Sequence, residues 1–465
     1  MKESDLNQAI QTKTFGFNVP CREFVISAQV TRDRRMPMVD EFVLRTLDVV
    51  ESISISRLAR YFGFDGRDLG IVLADLQSRS LISLSREEVS LHPSAKELFR
   101  TAGDAPPAIT AVDSFHARVW FDLVSQNMIA SRGLHNVKHL LPLKPVPSRM
   151  DIEAGFAREA FNLNFRDYLR TFRRIKNPDA WSLYAILDVQ PGRYSYAQIS
   201  GSEHLILEGS PKLETTLFPT EGDRPGRLKL LTDAMAQEVR KLNDPVGTLA
   251  ARAEYSKLVG SDSIEKATQS NGYIDLREWL RIENSSIDAQ SKPFIGYPYI
   301  ERNRRELGML LSQIEGVTIS SEREWTLTWL RPGGSSWGVT EDLGNLLSDL
   351  RAAVRRLSFG SSTPSTSLIV PAAVTAKNAR AFNRLFDYGY HAEAGWLTLG
   401  VEVLVVPQVC ALVSVVVPLT ETIRVPIGRM TTDKALVQRI SQRSQIDQSV
   451  SHSTLLWGGT SSRTE

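Results

Sequence analysis

Cysteine is nearly absent. Cys21 and Cys410 are the only two among 465 residues, and their separation matches no ligand spacing. A disulfide framework and a zinc site are therefore not expected. The pair reads as two buried free thiols in a reducing cytoplasm. Long apolar runs are also missing. The most apolar stretch, Gly400–Leu419, is interrupted by Glu402, Pro407, Gln408 and Pro418. A spanning helix needs about 20 predominantly apolar residues, so the stretch reads instead as two buried strands, VEVLVV and ALVSVVV, split at Pro407-Gln408. The opening MKESDLNQAIQTKTF has no apolar core of the signal-peptide kind, and no membrane partner is expected. Charge of one sign is lacking too. With 55 Lys and Arg against 53 Asp and Glu the net charge is +2, so any surface for a polyanion has to be a local patch.

Catalytic motifs are equally scarce. None of the seven histidines falls in a metal motif. His135 and His139 are four apart, but Asn136 stands where a zincin-type site carries Glu. RPGGSSWG, Arg331–Gly338, lacks the Gly-Lys-Ser/Thr ending of a phosphate loop, and no Ser sits in a Gly-x-Ser-x-Gly elbow. EHLILEG, Glu203–Gly209, offers two acids without a partner motif. The expectation is a protein without cofactor, metal or catalytic residues.

What is present is ordinary globular composition, 42% hydrophobic and 23% charged, enough for each part to bury a core. At roughly 100–200 residues per domain the length suggests two to four domains. The pattern predicts an α/β multidomain chain, α+β overall. Its parts are an N-terminal extension (1–36) with a strand at Phe24–Val30, a helical module (37–102), a mixed middle region (112–290), a C-terminal α/β domain (291–448) and a mobile tail (449–465). Within the middle region, Ala157–Asp179 reads as one basic helix and Trp181–Gly201 as a strand pair turning at Pro191-Gly192. Farther on, Lys292–Tyr299 reads as a loop and Thr375–Tyr390 as a helix.

The helical module has an interpretable order. DEFVLRTLDVV and ISISRLARYFGF (Ile53–Phe64) carry apolar residues at helical spacing, with Ser54 or Ser56 as the N-cap of the second, and Gly63 suits a left-handed helix end. DGRDLGIVLADLQSRSLI turns Leu69, Val72, Leu73 and Leu76 inward. SLSREEVSL is a hairpin turning at Arg86–Glu88, followed by a helix from Pro93. The segment from Ser54 to Phe99 resembles the winged helix-turn-helix family, with Ser80 in the helix exit where Gly is usual. The resemblance implies a third helix entering the DNA major groove and a wing on the backbone. Phosphate affinity comes from Lys and Arg, yet between Asp40 and Arg100 eight basic residues face ten acidic ones. Arg67 lies on the third helix beside Asp65, Asp68 and Asp75. Better phosphate candidates are Arg32, Arg34 and Arg35 before the module, and Arg57 and Arg60 on its second helix. Docking of a protein partner and a purely scaffolding role are alternatives for this charge balance.

Two further features bear on function. Arg166, Arg170, Arg173, Arg174 and Lys176 lie close together with Phe165, Tyr168 and Phe172 interleaved. On one helix the four arginines share a face, which reads either as a nucleic-acid backbone patch or as a solvated amphipathic face. Farther on, GVEVLVVPQVCALVSVVV…VPIGRMTTDKAL resembles the strand–turn–strand pattern of the phospholipase D-like superfamily. There the family's turn carries His-x-Lys; here Cys410 and Leu412 occupy those positions, and Arg429 replaces the Ser after Gly428. The resemblance implies a catalytically degenerate domain used for binding. The leading expectation is a non-catalytic bacterial protein associated with nucleic acid, contacting DNA, other protein subunits or both within a DNA-handling or antiviral defence complex. A protein-interaction scaffold, a transcriptional regulator and a nuclease or phosphodiesterase with a dispersed site are the alternatives.

Overall fold

The computed structural model describes residues 6, 8–102, 108–144, 153–217, 225–243, 247–314, 326–358, 364–394, 400–444 and 451–458. In chain order it begins with the long strand β1 (Ile10–Arg35), then α1 (Met38–Val50), β2 (Ser52–Ser54), α2 (Ile55–Phe62) and α3 (Gly66–Ser78). The hairpin β3 (Ile82–Ser85) and β4 (Glu88–Leu91) leads into α4 (Pro93–Ala102), β5 (Ala108–Asp122), and the short β6 (Met128–Ile129) and β7 (Leu141–Pro142). Next come α5 (Ala154–Leu163), α6 (Phe165–Thr171), β8 (Trp181–Ile206), β9 (Lys212–Leu217), α7 (Pro225–Val239), α8 (Leu249–Val259), α9 (Ser263–Lys266) and α10 (Leu276–Ser286). An alternating stretch follows: β10 (Ser291–Ile295), α11 (Glu301–Ser312), β11 (Thr326–Leu330), α12 (Asp342–Leu357), β12 (Ser365–Val370), α13 (Ala376–Ala379) and β13 (Tyr388–Ala392). The chain closes with β14 (Val401–Val406), β15 (Cys410–Pro418), β16 (Arg424–Thr431), α14 (Lys434–Arg443) and β17 (Ser453–Trp457). The chain is α/β multidomain, α+β overall, and none of the described helices is long and apolar enough to cross a membrane.

Two compact units emerge, each assembled from separate stretches of chain. The smaller comprises Arg22–Trp120 and Ile152–Arg193; the larger comprises Met1–Cys21, Phe121–Asp151 and Tyr194–Glu465. Three of the four boundaries fall inside the strands β1, β5 and β8, which belong to a six-stranded sheet of order β6-β5-β1-β8-β9 with β7 on β1, and the fourth falls between β7 and α5.

In the larger unit the eight-stranded sheet runs β10-β16-β15-β14-β11-β12-β13-β17. β11, β12 and β13 are parallel and the remaining pairs antiparallel. Both faces are covered. Val403, Val405, Val413 and Val415 pack with Tyr255, Leu258, Trp279 and Ile440, whereas Leu404, Val406 and Leu412 pack with Leu307, Leu310, Leu346 and Leu350. This explains why β14 and β15 read as continuous apolar runs rather than alternating ones.

In the smaller unit, α1, α2 and α3 close over the three-stranded sheet β2-β4-β3, burying Val43, Leu47, Leu58, Leu69, Leu73, Leu76 and Val89. The element order is the one expected from the sequence, with β2 added.

Several expectations are corrected. The strand expected at Phe24–Val30 extends over all of β1. Trp181–Gly201 is not a hairpin but part of the unbroken β8. At Gly192 a Cβ would lie 2.9 Å from Glu23 Oε2, so glycine there permits close approach to β1 rather than a turn. The basic helix breaks at Asn164 and ends at Thr171. Lys292–Ile295 belongs to β10, and Pro293 is tolerated because β10 is an outer strand. Thr375–Tyr390 holds only the short α13 and a 3-10 turn before β13 begins. The tail is not wholly free: Ser453–Trp457 pairs with β13, and residues 459–465 lie outside the described ones.

Candidate nucleic-acid interface

Every arginine and lysine expected from the sequence to contact nucleic acid falls in the smaller unit. The α2–α3 corner is built by two local devices. Gly63 ends α2 at φ 70, its N–H donating to the Ala59 carbonyl; glycine takes this left-handed conformation without a Cβ penalty. Asp65 then caps α3, its Oδ1 accepting from Arg67 N at 2.9 Å and Asp68 N at 2.7 Å. With Leu69, Leu73 and Leu76 inward, the outward stripe of α3 is Arg67, Ile71, Ala74 and Ser78. Arg57 and Arg60 are exposed on α2, flanking the buried Leu58.

Side-chain pairing changes the meaning of the module's acidic count. Arg79 bridges Asp40 and Asp75, Arg45 Nε holds Glu41 Oε1 at 2.9 Å, and Glu88 Oε2 accepts from Ser52 Oγ at 2.8 Å. Arg57, Arg60 and Arg67 are exposed and make no ion pair among the described residues. Asp68 remains exposed beside Arg67, and the wing tip puts Arg86, at φ 52, next to exposed Glu87.

The second cluster does not form the shared helical face expected of it. Past the end of α6, Arg173 turns back and donates from Nη2 to the His116 carbonyl at 2.8 Å. Its guanidinium lies 5.5 Å from the Phe115 ring centre and 6.0 Å from that of Tyr168. Burial raises the Tyr168 hydroxyl pKa, and Arg173 partly offsets the rise. Arg174 adopts a left-handed φ of 54. Arg170 pairs with Asp167 at 3.4 Å. Arg166, Arg174 and Lys176 are left exposed, without an ion pair among the described residues.

Arg32 belongs to the same aromatic cluster. Its Nε holds Asp113 Oδ2 at 2.6 Å, and its guanidinium stacks 5.0 Å from the Trp181 ring centre. Trp181 meets Phe115 edge-on at 6.4 Å. Arg32 and Arg173, distant in sequence, are thus cation–π partners of one cluster and position structure first. The side chains of Arg34 and Arg35 lie outside the described residues. Asp113, Phe115 and Trp181 were not legible as partners, because strand alternation says nothing about which strands pair.

The phospholipase D-like positions sit in the larger unit. Cys410 and Leu412 are both buried, and burial pushes the Cys410 thiol up to about 12, which removes it as a nucleophile near neutral pH. Arg429 is a buried structural cation: its Nε lies 2.8 Å and its Nη2 2.5 Å from Glu283 Oε2, and Ser263 and Ser261 donate to the other carboxylate oxygen. Across the sheet, buried Glu402 accepts from Trp337 Nε1 at 2.6 Å, Ser414 Oγ at 2.7 Å and Trp329 Nε1 at 3.0 Å. Burial raises its pKa against those hydrogen bonds. Arg331, from the glycine-rich stretch, stacks on Trp337 at 4.7 Å, and burial lowers it to about 10. His139 is buried on Phe382, while His135 is exposed and bonds its own turn. Among the described residues no His, Cys, Asp or Glu group could hold a metal ion.

No protein-family model matches the chain, and no curated protein matches it. Among solved structures it is similar to TrmBL2, an archaeal chromatin protein whose structure shows a novel mode of DNA binding, over 54% of this chain and 76% of that one. Identity is 9% and the TM-score 0.20, too low to carry an argument about this chain.

Proposed function

We propose that the protein binds duplex DNA through a winged helix-turn-helix in its smaller unit, and that it does so without chemistry of its own. The observation that carries this reading is the α2–α3 corner, where Arg57, Arg60 and Arg67 stand exposed while Arg79 and Arg45 hold Asp40, Asp75 and Glu41. A major groove about 12 Å wide admits a helix. In it α3 would present Ile71 and Ala74 to thymine methyl groups and Arg67 to a base edge or phosphate, with Arg57 and Arg60 on the backbone. Arg166, Arg174 and Lys176 form a second, weaker phosphate patch. Cys410 and Leu412, buried where the phospholipase D-like resemblance puts the His-x-Lys pair, leave that resemblance without its nucleophile.

The test is fluorescence anisotropy of a labelled duplex over a salt series. Log affinity should fall linearly with log salt. Replacing Arg57, Arg60 and Arg67 together by Ala should flatten the slope by about 3 units, roughly one for each phosphate that is no longer neutralised. A slope indifferent to the triple variant would overturn the assignment. Docking of a protein on the same face is the second reading, favoured by the exposure of Tyr61 (71%) and Ile71 (63%). Full-length protein that retains its fold and binds duplex no tighter than about 10⁻⁴ M at low salt, below ordinary non-specific affinity, would leave that reading standing.

A further inference from the structure

β8 pairs with β9 only over Gly201–Ile206, and its other strand neighbour is β1. Along the rest of β8, one edge has no strand partner among the described residues. Against the open edge lies a cleft of about 390 Å³. One wall is a single face of α5, made by Gly155, Arg158, Glu159 and Asn162; the other is the β8 stretch 183–186. Successive strand residues point to opposite faces. A wall of four consecutive residues is therefore the strand's edge, with its backbone groups turned into the cleft.

One of those groups is already held by a substitute. Arg158 Nη1 donates to the Ile186 carbonyl at 2.6 Å, the bond that the N–H of a further strand would make. Tyr184 (67% exposed), Leu187 (60%) and Leu163 (76%) add apolar surface along the rim. Arg158 and Glu159, one of each sign, line the cleft itself, and the positive excess lies farther along the same segment of chain. From Ala154 to Lys176 the basic residues Arg158, Arg166, Arg170, Arg173, Arg174 and Lys176 outweigh Glu159 and Asp167.

The geometry points to an acidic, extended peptide segment of a partner protein that adds to the edge of β8 as a further strand, in the cleft against α5. Backbone hydrogen bonds to the stretch 183–186 supply affinity. A carboxylate of the peptide takes over the Arg158 guanidinium as the incoming N–H replaces it on Ile186, and apolar side chains rest on Tyr184 and Leu163. The site is distinct from the α2–α3 corner.

The test pans a displayed library of random peptides, about a dozen residues long to span one strand, on the full-length chain. Counter-selection uses Gly155→Trp: a Cβ at Gly155 meets nothing within 4 Å, so the indole fills the cleft without disturbing α5. Sequences lost on Gly155→Trp should be β-branched and rich in Asp and Glu. A synthetic consensus peptide should lose all binding when alternate backbone amides are N-methylated, and about tenfold on Arg158→Ala. Arg158→Glu, at an exposed position, should turn the selected sequences basic. Duplex DNA binding should be the same in all three variants. Failure to enrich any sequence sensitive to Gly155→Trp overturns the proposal, as does binding indifferent to N-methylation. Displacement of the peptide by a single-stranded oligonucleotide, abolished in Gly155→Trp, would assign the cleft to nucleic acid instead.

Discussion

In the larger unit Arg429 and Glu283 are almost wholly shielded from water, at 7% and 0% side-chain exposure; in the smaller unit Arg57, Arg60 and Arg67 stand in it. The two regions use the same kind of side chain for opposite ends. A guanidinium taken out of water is held there by its carboxylate, and either partner alone would be an uncompensated buried charge. One left in water contributes little to the fold and remains available to a phosphate. The difference explains why a similar sequence signal, arginine near apolar residues, marks a structural bolt in one place and a candidate contact in the other.

The sharpest way to break this comparison is to remove one charge from each side. Arg429→Ala should cost about 3–5 kcal/mol in denaturant unfolding, because Glu283 is left buried without its cation. Replacing the pair together, Arg429→Met with Glu283→Leu, should recover most of that loss. Arg60→Ala should stay within about 0.5 kcal/mol of the unaltered protein. Similar costs at Arg429 and Arg60 would mean that burial does not separate the two classes.

The next largest effect lies in the buried core of the larger unit. His139 stacks on Phe382, its Nε2 3.1 Å from the Thr340 carbonyl. Burial, only partly offset by that hydrogen bond, lowers its pKa to about 4 from 6.5. The neutral ring is therefore the folded form. As pH falls from 6.5 towards 4 the unfolded chain takes up a proton that the folded chain does not, so stability is lost on acidification in that window. The loss is about 3 kcal/mol, at 1.36 kcal/mol per pKa unit. Thermal unfolding of His139→Phe should show a correspondingly shallower decline across the same window. An unchanged decline would place the titration elsewhere.

Legibility in the sequence follows the range of the forces involved. The helix–hairpin module was readable because its determinants are local: Gly63, Asp65, the leucines of α3 and the turn at Arg86 act within a few residues. β14 and β15 were readable because burial on both faces leaves a continuous apolar run. A proline and a glycine in sequence look like a turn, whereas β8 runs unbroken through Pro191 and Gly192, and Gly192 lies against Glu23. Arg158, Tyr184 and the cation–π partners of Arg32 and Arg173 were invisible for a related reason. They depend on which strands neighbour each other, and the units are stitched from separate stretches of chain. Periodicity carries no information about either.

Local capping offers a smaller test within the smaller unit. Asp65→Ala removes the acceptor of the Arg67 and Asp68 amides and should cost about 1 kcal/mol. It should also weaken the proposed DNA binding beyond its charge effect, since a frayed first turn no longer orients Arg67. Binding that improves through loss of the negative charge alone would show that the cap does not orient this arginine.

The smallest effect is expected at Ser80, which departs from the pattern of the family that the module's sequence resembles. Ser80 holds φ 55 in the exit from α3, a left-handed conformation that glycine takes without penalty and that strains other residues. Its carbonyl accepts from Ser94 Oγ at 2.8 Å, a bond that does not involve the Ser80 side chain. Ser80→Gly therefore keeps every backbone hydrogen bond and relieves the strain, while adding entropy to the unfolded chain. The balance should favour the variant by about 0.5 kcal/mol, read as a rise in melting temperature with an unchanged DNA salt slope. A fall in stability would mean that the serine side chain makes up for its own strained backbone, and that the departure from glycine is an adaptation of this module rather than a tolerated cost.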